Sequence, residues 1–199
     1  MTVRLQRVRG PAPRAIDRAI RYLRIRQARR HITDGSSVLD VGCSDGSLFV
    51  ALADRISHGV GVDPRLMDTQ HDGRFRYIAD GFPTDALNAE QFDVITMLAV
   101  LEHVPDEELS AWAEACALLL TPKGIVIATV PEPRVDSLLH LLIRLRLIAG
   151  IASHEHHGAD PGAIPAVFAH RGLTLRARRR FELGLNNLFV FGRAEAGTS

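Results

Sequence analysis

The stretch Val38-Leu39-Asp40-Val41-Gly42-Cys43-Ser44-Asp45-Gly46 decides the fold. A short apolar run carrying one acid and followed by Gly42 and Gly46 predicts a buried strand that breaks into a tight turn, with a helix from Ser47 to about Ile56 behind it. Such a turn lets a ligand approach the backbone closely. The dinucleotide fingerprint needs a third glycine where Phe49 stands, and a triphosphate-cradling loop would end in Gly-Lys-Ser/Thr, which is absent.

Downstream the pattern repeats. Gly59-Val60-Gly61-Val62 predicts a second strand ending in Asp63 and Pro64, and Phe75 to Ala79 a third ending in Asp80-Gly81. Phe92 to Leu98 is a nearly continuous apolar run, as expected for a strand buried on both faces. Pro105-Asp106-Glu107-Glu108 opens a helix that should run through Leu120 and stop at the breaker cluster Thr121-Pro122-Lys123-Gly124. Ile125 to Val130 is a fifth strand, closed by Pro131-Glu132-Pro133. Strands alternating with helices imply right-handed crossovers and a parallel sheet with helices on both faces. In such sheets ligands sit at the carboxyl ends of the strands, where the strand order reverses.

Upstream, residues 1–12 have no period and read as an arm. From Pro13, Ala15, Ile16, Ala19, Ile20 and Leu23 recur at helical spacing between arginines, predicting an amphipathic helix to about Arg30. Toward the C-terminus the rhythm breaks. Residues 135–171 form an insert on the substrate side, with Leu138 to Ile148 apolar nearly all round: a lid, an interfacial helix, or a core or dimer helix. A loop with His154, His156 and His157 follows, then a helix from Ala163 to Arg171. Leu173 to Arg178 and Asn187 to Gly192, joined by residues 179–186, suggest an antiparallel hairpin at the sheet edge. The expected fold is one α/β domain over residues 1–199, a Rossmann-like, mostly parallel, seven-stranded sheet with an antiparallel C-terminal edge.

Composition narrows the class. With 46 % hydrophobic and 24 % charged residues, the 199-residue chain has the make-up of a folded globular protein. Cys43 and Cys116 supply neither a disulfide framework nor zinc spacing, and no apolar stretch is long enough to span a bilayer, so a cytoplasmic protein is expected. The net charge of +1 conceals an asymmetry: residues 1–30 hold ten arginines and one aspartate, leaving 14 basic and 22 acidic residues elsewhere. Such a cluster pairs with an acidic body, or attracts phosphate, nucleic acid or the surface of an anionic membrane.

Asp40 at the strand end, Gly42 and Gly46 in the turn, and Asp63 at the end of the next strand suit an adenosine moiety, because a carboxylate there accepts both ribose hydroxyls. These residues resemble the class I S-adenosylmethionine-dependent methyltransferases of small-molecule type, strongly from Ser37 to Pro131. The resemblance implies S-adenosyl-L-methionine as cofactor, with Asp40, Gly42, Ser44 and Gly46 at its methionine end, and Asp63 and Pro64 at the ribose. It places Asp80, Gly81 and Phe82 at the adenine. Leu98 ends the fourth strand, and Leu101-Glu102-His103-Val104-Pro105 resembles the family motif near the transferred methyl. Ser44 departs from the glycine common in the middle of the turn.

The segment with His154, His156 and His157 resembles a family loop that borders the substrate pocket and is expected to line it, the alternatives being that His154 or His156 acts as general base or that the loop is a surface one; no metal is expected. The expected activity is methyl transfer, to oxygen, on a small-molecule, glycan or lipid-linked acceptor. RNA methylation is the alternative, disfavoured because Leu98-Ala99-Val100-Leu101 stands where base-methylating relatives carry Asn/Asp-Pro-Pro-aromatic. A non-catalytic cofactor-binding scaffold and a homodimer are further alternatives.

Overall fold

The computed structural model describes residues 6–9, 15–87, 90–132 and 160–194. The expectations for Leu138 to Ile148 and for His154, His156 and His157 lie outside the described residues. Within them the strands are β1 (Ser37–Val41), β2 (His58–Val62), β3 (Gln70–Asp72), β4 (Phe75–Ile78), β5 (Phe92–Leu98), β6 (Leu120–Pro131), β7 (Leu173–Phe181) and β8 (Asn186–Arg193). The helices are α1 (Ala15–Arg29), α2 (Ser47–Leu52), α3 (Leu109–Leu119) and α4 (Ile164–His170).

The strands form one sheet in the order β3-β4-β2-β1-β5-β6-β8-β7. Pairing is parallel from β4 through β6, and antiparallel at both edges. The strand order reverses at β1, which lies between β2 and β5, so the crevice above β1 is the ligand position this topology favours. Its start is locked. The Ser37 N–H and hydroxyl both donate to Asp93 Oδ2 at 2.9 Å, which fixes the foot of β1 against that of β5.

Two apolar layers cover the sheet. On one face α1 and α2 bury Ile25, Ala28, Phe49 and Leu52 against Val38, Val94 and Ile127. On the other, α3 and α4 bury Leu109, Ala113, Cys116 and Phe168 against Leu39, Ile95, Val126 and Phe191. The inner strands therefore carry apolar side chains on both faces, which is why they read as continuous runs.

Several features differ from expectation, among them β7, which runs to Phe181 and not to Arg178. The sheet has eight strands, not seven: Gln70–Asp72 pairs antiparallel with β4 across Gly73-Arg74. That strand lacks apolar alternation because it lies at an open edge. α2 ends at Leu52, short of Ile56, because Arg55 and Ile56 each turn an N–H back to the Leu52 carbonyl. α3 starts at Leu109, not Pro105, because residues 101–103 form a 3-10 turn and the Glu108 N–H closes another on the Pro105 carbonyl. The cluster at Thr121-Gly124 does not stop the chain before β6 but forms an irregularity inside it, where the register shifts opposite Phe92/Val94.

The arginines of α1 divide. Arg21 pairs with Asp45 at 2.8 Å and Arg29 with Asp54 at 3.2 Å, tying the helix to the acidic body. A second basic strip lies on the edge strand β7, whose residues 174–180 are all exposed and include Arg176, Arg178, Arg179 and Arg180. Charge along an edge discourages pairing with another strand. Among the described residues no helix is long and apolar enough to cross a membrane.

Gly46 bears most on the turn. Its φ is +77°, and a Cβ there would lie 2.7 Å from a ring carbon of Tyr77, which is fully buried. Gly172 has the same φ, but a methyl group there would meet nothing within 4 Å. Gly46→Ala should therefore cost about 2–4 kcal/mol, combining left-handed strain with overpacking, and Gly172→Ala about 1 kcal/mol. Equal urea midpoints for the two variants would contradict this packing.

Candidate functional site

A cavity of about 550 Å³ opens above the carboxyl ends of the parallel strands. Val41, Gly42 and Ser44 line it from the turn after β1, and Val62, Asp63, Pro64 and Arg65 from the end of β2. Gly81 and Phe82 come from the loop after β4, Leu98 to Val100 from the end of β5, and His103 to Pro105 from the following turn. Trp112 closes it from α3, Glu108 from the residue just before that helix, and Arg21 and Arg24 from α1.

The turn after β1 is shaped by three left-handed residues: Gly42 (φ +73°), Ser44 (φ +50°) and Gly46. A Cβ on Gly42 would fall 2.5 Å from a Val100 methyl, so bare backbone is required there. Ser44 bears a side chain in a conformation glycine tolerates better. Its N–H donates to Asp63 Oδ2 at 2.8 Å, which holds the turn against the end of β2.

Asp63 is the best-connected acid. Although it lines the cavity, its side chain is only 2 % exposed. Two backbone donors fix it: Ser44 N–H on Oδ2 and Arg65 N–H on Oδ1, both at 2.8 Å. The Arg65 guanidinium fills the remaining acceptor positions, Nε to Oδ1 and Nη2 to Oδ2, each at 3.3 Å. That side chain is 61 % exposed and can swing away.

Asp40 lies beneath the turn rather than on the cavity wall. Its Oδ1 accepts the Thr96 hydroxyl at 2.7 Å, and burial pushes its carboxyl up to about 7, partly opposed by that hydrogen bond and reinforced by the nearby Asp63 charge. Gly46 also stands behind the wall, against Tyr77. Asp80 turns into its own loop: Oδ1 accepts the Gly81 N–H at 2.8 Å and Oδ2 the Thr84 hydroxyl at 2.5 Å. Those bonds, the Thr84 hydroxyl foremost, lower its pKa, and the residue faces a neighbouring depression shared with Asp85 and Glu90. Gly42, Ser44, Asp63, Pro64, Gly81, Phe82, Leu98 and His103 are brought together around one space.

Several lining residues escaped sequence reasoning, among them Trp112, Arg21, Arg24 and Arg65. Trp112 meets Phe82 edge-on, ring centroids 5.1 Å apart, and its buried indole N–H has no partner among the described residues. It is the only tryptophan in the chain, but helical spacing alone did not aim it at a site. Arg21 and Arg24 belong to the basic cluster, whose docking face no local pattern reveals. Arg65 carried no signal. Among the described residues no group of acids, histidines and cysteines is arranged to hold a metal. Cys43 and Cys116 are buried free thiols, both pushed up by burial, which suits filler rather than nucleophile.

A Rossmann-like sheet with a cavity at the carboxyl ends of its parallel strands is the arrangement of the small-ligand sites of open α/β folds. The chain belongs to the methyltransferase domain family, whose model matches residues 11–177. It is 29 % identical over 170 residues to a ubiquinone biosynthesis O-methyltransferase of Psychrobacter arcticus, covering 76 % of this chain and 63 % of that relative. A ubiquinone biosynthesis O-methyltransferase of Leptothrix cholodnii is 32 % identical over 163 residues, covering 75 % and 68 %. The chain thus spans about 63 % of the length of the first relative. In fold it resembles the N-methyltransferase NodS from Bradyrhizobium japonicum in complex with S-adenosyl-L-homocysteine, with a TM-score of 0.63, 17 % identity and 88 % of each chain covered.

The buried carboxyl of Asp40 gives a pH test. Its unfolded pKa is about 3.9, so between roughly pH 4 and 7 the native chain keeps a proton that the unfolded chain has released. Its contribution to stability is complete below about pH 4 and is lost as pH rises through about 7. Asp40→Asn cannot titrate, so its stability relative to wild type should rise between pH 5 and pH 8, by about 1.4 kcal/mol per pKa unit traversed. Denaturant titrations at both pH values check this; a constant difference would refute the buried acid.

Proposed function

We propose that the protein transfers a methyl group from S-adenosylmethionine to the oxygen of a small hydroxylated molecule. The observation that carries this is the Asp63 carboxylate. Two backbone N–H groups hold it rigidly, and the other two acceptor positions are filled by two N–H groups of a displaceable side chain. Two vicinal ribose hydroxyls match that pair of positions.

The remaining walls fit the same ligand. Gly42 leaves backbone open to close approach, and Arg21, fixed by Asp45 at 2.8 Å and Ser47 at 3.0 Å, puts a cation beside the turn for the carboxylate of the methionine end. Phe82 and Trp112 form an aromatic corner suited to a flat base. When bound, S-adenosylmethionine supplies a methyl group on a sulfonium that leaves readily. What falls to the chain is to align the acceptor, exclude water and take one proton. Leu98, Val100 and Val104 line the cavity with apolar surface. His103 presents an imidazole, the side chain whose charge changes nearest neutrality, as a proton acceptor there. Transfer to oxygen rests on the names of the relatives, both O-methyltransferases.

Calorimetric titration with S-adenosylhomocysteine tests the cofactor site. Asp63→Ala should weaken binding by about 1.5–3 kcal/mol, the cost of losing hydrogen bonds to a charged group, while Asp72→Ala at the far sheet edge should leave it unchanged. Equal affinities for wild type and Asp63→Ala would remove the ribose assignment.

A further inference from the structure

Arg21 and Arg24 both line the cavity, yet they have different neighbours. Arg21 bonds Asp45 and Ser47 in the turn after β1. Arg24, one helical turn further along α1, feels instead the charges of Glu102, in the turn after β5, and Glu182, in the turn between β7 and β8. Its nearby charges thus come from the turns that follow β5 and β7, and not from the turn after β1 that Arg21 holds.

Burial works against the charge of Arg24 and is the largest influence on it, and its Nε is buried with no hydrogen-bond partner among the described residues. Neither glutamate comes within ion-pairing distance. Glu102 is itself buried with Oε2 unpartnered, and Glu182 spends one carboxylate oxygen on the Asn186 amide. A guanidinium partly withdrawn from water on a cavity wall is stabilised by an anion that completes its hydrogen bonds.

We infer that Arg24 is an acceptor-recognition residue, and that the methyl acceptor carries a carboxylate which the Arg24 fork binds within the cavity. This rests on the proposed methyl transfer and names the class of its substrate. A carboxylate suits the site better than a phosphate dianion, because the two nearby glutamates repel a doubly charged group more strongly than a singly charged one. The planar guanidinium also matches a carboxylate bidentately, which lysine does not.

The test uses the full chain saturated with S-adenosylhomocysteine, titrated calorimetrically with 3-hydroxybenzoate and with its neutral isostere 3-hydroxybenzamide. Wild type should bind the carboxylate at least tenfold more tightly than the amide. Arg24→Gln should abolish that preference while holding S-adenosylhomocysteine affinity within about threefold, and Arg24→Lys should restore only part of it. Equal binding of the two probes to loaded wild type, or no binding of either, overturns the inference. So does a preference that survives in Arg24→Gln, or a tenfold loss of S-adenosylhomocysteine affinity in that variant with its thermal midpoint unchanged, which would assign Arg24 to the cofactor. Failure of wild type to bind S-adenosylhomocysteine would instead overturn the methyl-transfer proposal itself.

Discussion

The hydrogen bond from the Ser44 N–H to the Asp63 carboxylate, 2.8 Å long, joins the turns that follow two adjacent parallel strands. Much of the cavity depends on it. β1 and β2 run in register from Ser37↔His58 to Val41↔Val62, so their ends arrive side by side. The bond holds the glycine turn over Asp63 and keeps Ser44 in a left-handed conformation that its own side chain disfavours. The turn in turn needs Gly42, because Val100 leaves no room for a methyl group, and Gly46, because Tyr77 fills the space behind. Register, turn geometry and carboxylate orientation form one constraint.

Charge around the cavity is arranged in layers. At the wall, Asp63 is an ionic acceptor held by backbone donors. Beneath it, Asp40 is buried and pushed up to about 7, with the Thr96 hydroxyl for company. From α1, Arg21 reaches the turn after β1, and Arg24 lines the same cavity near the charges of Glu102 and Glu182. A carboxyl that becomes neutral readily beneath one that accepts hydrogen bonds avoids placing two full negative charges together in a desolvated space. The basic N-terminal helix thus has two uses: its pairing with Asp45 and Asp54 docks it, and the docking delivers cations to the cavity.

Much of the architecture was legible because its signals are local. The run from Val38 to Gly46 and the acids closing β2 and β4 each follow from short-range chemistry, and the structure places most residues so marked around one cavity. What was hidden depends on tertiary placement. Nothing near Arg24 in the chain says that it will line the cavity, and nothing near Trp112 says that its indole will meet Phe82. Asp80 shows the converse: an Asp-Gly at a strand end is marked by its neighbours, yet its carboxylate serves its own turn with Thr84. The strand Gln70–Asp72 was missed because a polar edge strand has no burial pattern to read.

The measurement that bears most directly on the account is a crystal structure with S-adenosylhomocysteine bound. Both ribose hydroxyls should lie on the Asp63 carboxylate with the Arg65 guanidinium displaced, the base beside Phe82, and the sulfur facing the His103 side of the cavity. A ligand seated elsewhere, or one that leaves the Arg65–Asp63 pair intact, would contradict this placement.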